Sequence, residues 1–158
     1  MRKIRMLALF MILIGSMVLS GCFKPQPTVS DVQKKLTKNI ENLETVVAFL
    51  ESTGYDDISI CAPKKMYADF SYVIIEDEAV VAALEELHNK GNYPSIQKNG
   101  STITFRQWQG LTGISCGIAH VPYDWFGPDI QYLTELVSLQ EDCWYYYVED
   151  YETWRLEH

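Results

Sequence analysis

The pair Asn99-Gly100, set between two runs of alternating side chains, constrains this chain more than any other feature. Asn-Gly readily takes the left-handed backbone that a two-residue hairpin turn needs. Beyond the turn, Ile103 and Phe105 alternate with Thr102, Thr104 and Arg106, so this strand has one buried and one wet face. "GISCGIAHV", residues 113–121, continues the alternation as a third antiparallel strand, and "PYDWFGPD" breaks the chain after it.

Two segments carry the helical period instead. Val32, Leu36, Ile40, Leu43, Val47 and Leu50 recur every three or four residues, with Ser30 as expected N-cap, Gln33 completing a capping box and Gly54 as the stop. A second helix is expected over Asp77 to Asn89, opening on acids and closing on His88 and Lys90, as the helix macrodipole favours. "DISIC" at 57–61 and the aromatic "CWYYYVEDY" at 143–151 read as strands. In residues 129–139, Ile130, Leu133 and Val137 have helical spacing while the flanks also fit an extended strand; a short helix is the favoured reading. The fold class is therefore α+β, with an N-terminal helix and a second helix on a mainly antiparallel sheet.

Ahead of this domain, MRKIR places three positive charges before the uncharged apolar run Met6 to Leu19. These 14 residues rise about 21 Å as a helix, short of the roughly 30 Å hydrocarbon core, so the segment reads as an export signal. Leu19-Ser20-Gly21-Cys22 resembles the lipobox of bacterial lipoproteins over residues 1–22. The resemblance implies a diacylglyceryl thioether on Cys22, cleavage between Gly21 and Cys22, and a mature chain beginning at the lipidated cysteine. The expected organisation is a signal peptide at 1–21, lipidated Cys22 and a flexible tether through residue 30, and one domain over 31–158. Two or three acyl chains, such as palmitate, hold far better than one, which places the domain on the extracytoplasmic face of the cell membrane.

Without residues 1–21, 137 residues remain, with ten Lys and Arg against 21 Asp and Glu, a formal charge of −11. Such a chain is a poor match for nucleic acid. The charge is uneven: Lys24, Lys34, Lys35 and Lys38 face only Asp31, whereas from Asn39 onward 20 acids oppose six bases. Lys34, Lys35 and Lys38 can meet anionic lipid only if the tether lies down, because an extended tether sets them roughly 25–30 Å away, beyond the ~8 Å Debye length. A solvated helix face explains them equally.

Residue pairs that suggest chemistry have simpler explanations. Cys116 and His120 resemble a nucleophile and base, but four strand positions separate them by roughly 13 Å, and Cys116 alternates with Ile114 and Ile118 as a core residue. Cys61, Cys116, Cys143 and His120 lack any local zinc-ligand spacing, and one disulfide at most is open to the three thiols. The recurring acid pairs match no calcium loop, and Gly110, Gly113 and Gly117 form no phosphate cradle. No catalytic residue, metal or cofactor is expected. The aromatic final third supplies instead a candidate binding surface of Tyr123, Asp124, Trp125, Trp144 and Tyr146 for an envelope protein, peptide or glycan, with core packing as the simpler use of the same rings. Two competing classes are a hydrolase of envelope polysaccharide using Asp124 or Asp129, and a structural or inhibitory surface protein.

Overall fold

The computed structural model describes residues 24–110, 112–122 and 128–158. Helix α1 (Val29–Ser52) leads into β1 (Asp57–Ala62), β2 (Lys65–Ala68) and β3 (Ser71–Ile74). Helix α2 (Glu78–Glu86) continues through one wider turn, Leu87–Gly91, before the β4 (Ser95–Asn99) and β5 (Thr102–Gln109) hairpin. Strands β6 (Ser115–His120), β7 (Leu133–Ser138) and β8 (Trp144–Glu149) and a short helix α3 (Tyr151–Glu157) complete the chain. The strands form one sheet in the order β3-β2-β1-β4-β5-β6-β8-β7, with every neighbouring pair antiparallel. The class is α+β.

Helix α1 starts two residues earlier than the Ser30 reading. Thr28 is the N-cap, its hydroxyl accepting from the Asp31 amide at 3.3 Å while the Asp31 carboxylate accepts from the Thr28 amide at 3.1 Å. A carboxylate makes the stronger reciprocal bond, and the Thr28 bonds hold the Asp31 carboxyl below its ordinary range. Gln33 is thereby released to cross to the β7–β8 turn, donating to Glu141 at 2.6 Å and accepting from the Gln140 amide at 2.9 Å.

The apolar stripe of α1 meets one face of the sheet. Val32, Leu36, Leu43 and Leu50 share a core with Ile58, Ile60, Ile96, Ile103, Phe105 and Ile118, joined by Val80, Leu84 and Leu87 from α2. Each such side chain contributes about 1.5–3 kcal/mol when fully removed from water. On the opposite face, Ala119 and Tyr147 form a smaller cluster with Val121 and Ile130 from the β6–β7 connection. Among the described residues, the apolar members of that cluster come from β6, β7, β8 and the β6–β7 connection.

Within 129–139, where a helix is the favoured sequence reading, Leu133–Ser138 is a strand. Leu136 is paired with Tyr147 and packs into the outer cluster with Leu133, while Val137, paired with Tyr146, packs into the main core. A bulge between Leu133 and Glu135 lets two residues three apart share a face. The helix-like spacing thus comes from a bulged edge strand serving two cores.

Candidate binding face

Trp144 and Tyr146 do not form the binding surface expected of them, since each is only 3% exposed. Both point toward the helices, where Trp144 meets Phe105 with ring centroids 5.8 Å apart. The alternate ring Tyr147 is buried in the outer cluster, so β8 has core on both faces. Tyr123, Asp124 and Trp125 lie outside the described residues, as do Gly21 and Cys22.

The thiol and imidazole readings fail on geometry. Cys116 is fully buried and Cys61 exposed; burial pushes the Cys116 thiol up to about 11, so it is protonated at neutral pH. His120 is paired with Trp144 across the sheet and its Nδ1 lies 3.8 Å from Glu51. Burial lowers the His120 pKa, with Glu51 and Glu44 opposing. Among the described residues no group of three His, Cys, Asp or Glu side chains is placed to hold a metal ion.

The exposed aromatic surface is at the other end of the sheet. Among the described residues, strand β3 has a neighbour on one edge only. Phe70 is 95% exposed, Tyr72 78% and Ile74 69%, and Tyr67 stands edge-on to Tyr72 at 5.2 Å between ring centroids. The β2–β3 turn places Phe70 there at a conformational penalty. Ala68 pairs with Ser71, so Asp69 and Phe70 form a two-residue loop with φ of 46° and 61°. Such a loop favours Asn and Gly, and a bulky side chain in this region is disfavoured by roughly 1–2 kcal/mol.

Register carries this surface inward along the outer face of the sheet. Tyr72, Tyr67, Ser59 and Gln97 form a continuous row across β3, β2, β1 and β4. Tyr67, Ser59 and Gln97 of this row line an open cavity of about 350 Å³ with Asp57, Asn99 and Phe70. Aromatic faces beside a carboxylate, two amides and a hydroxyl supply apolar contact and directional hydrogen bonds. Asp129 borders this region, its backbone carbonyl accepting from Asn99 at 3.4 Å and its amide donating to Thr102 at 3.1 Å.

No sequence signal pointed to this hairpin, because "KMYADFSYVI" has neither Asn-Gly nor a clean alternation. Comparison with known protein families, curated proteins and solved structures finds no match for this chain.

Proposed function

We propose that the chain is a lipid-anchored domain on the extracytoplasmic face of the cell membrane that binds an envelope protein, peptide or glycan and performs no covalent chemistry. The lipobox-like segment ending at Cys22 supports the anchor. The observation that carries the binding reading is the exposure of Tyr72 and Ile74 on an edge strand whose outer side has no partner among the described residues, next to Phe70 held out by an unfavourable turn. Exposed contiguous apolar surface of this kind marks interaction sites, and backbone strain persists where something else requires the geometry.

Crosslinking of the anchored protein in its own membrane, with and without the double change Phe70→Ser and Tyr72→Ser, tests the reading. A specific adduct lost in the variant supports it; an adduct retained at wild-type yield overturns it. Asp129, whose backbone carbonyl accepts from the cavity-lining Asn99, is the described acid of the alternative hydrolase reading. Release of reducing ends from envelope glycans by the wild type, abolished in Asp129→Asn, would replace binding by catalysis.

A further inference from the structure

The segment expected as a loose tether is bonded to the domain from Lys24 onward. The Trp108 indole donates to the Lys24 carbonyl at 2.8 Å, and the Gln26 amide donates to the Tyr146 hydroxyl at 2.9 Å. Only Phe23 separates Lys24 from Cys22, and two residue steps span at most about 7 Å. A lipid on Cys22 therefore brings the start of the domain to within about one Debye length of the headgroups.

The side chains at that place are basic. Lys34 and Lys38 are exposed one turn apart on α1, and Lys24 and Lys35 line a hollow together with Trp108. Lys35 is partly buried and near enough to Lys24 for repulsion; burial first, and Lys24 second, lower its pKa. The nearby acids are already engaged, Asp31 by Thr28 and Glu141 by Gln33 and Thr37. The second half of α1 carries Glu41, Glu44 and Glu51. Bases toward the N-terminus and acids toward the C-terminus oppose the helix macrodipole, so helix stability does not account for the arrangement.

We propose that the N-terminal half of α1, with Lys24, docks on anionic lipid headgroups and fixes the orientation of the anchored domain. This rests on the lipid-anchor reading. Helix α1 then lies between bilayer and sheet, and the cavity on the opposite sheet face, with Tyr67 and Phe70, points away from the membrane. The acidic remainder, 20 acids against six bases, is repelled from the same surface.

The lipidated mature chain, reconstituted in vesicles of phosphatidylcholine alone or with phosphatidylglycerol added, tests this by reaction with a membrane-impermeant amine reagent and peptide mass spectrometry. Lys24, Lys34 and Lys38 are expected to react about fivefold more slowly on the anionic vesicles, the equivalent of roughly 1 kcal/mol per lysine. In ~1 M salt, where the Debye length is ~3 Å, the difference should vanish. Lys64, Lys65 and Lys90 should react equally on both. In Lys34→Glu/Lys38→Glu, flotation with either vesicle should persist while protection of Lys24 is lost. Equal rates at Lys24, Lys34 and Lys38 on both compositions, from protein that floats, overturn the orientation alone. Protein without acyl mass that fails to float with phosphatidylcholine overturns the anchor reading beneath it.

Discussion

Two stretches of this sheet are comparably aromatic and end in opposite situations. In "WYYY" of β8, Trp144 and Tyr146 enter the main core and Tyr147 the outer cluster. In the β2–β3 hairpin, Tyr67, Phe70 and Tyr72 remain exposed. The difference is the layer above them: the β6–β7 connection brings Val121 and Ile130 over the first, and in the described residues no apolar cluster covers the second. An aromatic strand is thus core or binding surface according to a segment remote in sequence.

The largest effect should come from breaking the covered half. A Cβ at Gly117 would lie 2.1 Å from the Phe105 carbonyl oxygen, so Gly117→Ala must force β5 and β6 apart. It should unfold the domain or abolish soluble expression, as circular dichroism would show; a native melting curve would break the comparison. Tyr147→Ala should lower unfolding free energy by about 3–5 kcal/mol in urea titration. Tyr72→Ala in the open half should stay within about 0.5 kcal/mol. Similar losses at the two positions would erase the distinction.

Alkaline pH sharpens the contrast. Burial raises Tyr93 to about 12, pushes Cys116 up to about 11, and raises Tyr147 as well. Raised folded-state values favour the neutral form in the fold. The contribution is complete below the ordinary thiol and phenol values and is lost as pH climbs toward 11–12. Each group still protonated only in the fold steepens the decline by up to about 1.4 kcal/mol per pH unit. Melting temperature should therefore fall between about pH 9 and 12, and stability unchanged across that window would contradict the burial described.

A smaller effect belongs to the cap. Thr28→Ala removes one half of the Thr28–Asp31 box and should destabilise by about 1 kcal/mol. Ser30→Ala should do much less, since the hydroxyl of Ser30 is not the cap.

The sequence made visible whatever depended on local pattern. The α1 stripe, the hairpin at Asn99-Gly100 and the inward row Ile103, Phe105 and Ile118 needed only period and turn chemistry. Strand β7 mimics a helix in its spacing because its apolar residues divide between two cores through a bulge, a pairing that no helical window anticipates. The β2–β3 hairpin carries no turn signature, because Asp69-Phe70 is a poor turn sequence. The aromatic residues at 123–146 suggest a surface in the sequence because composition locates rings but not what covers them.

Phe70→Gly tests the central claim most directly, since it removes the exposed ring and relieves the left-handed backbone in one change. Measured together by urea unfolding and membrane crosslinking, it should raise stability by about 0.5–1 kcal/mol and lose the captured partner. A variant that is less stable than wild type, or that captures the partner undiminished, would contradict the account.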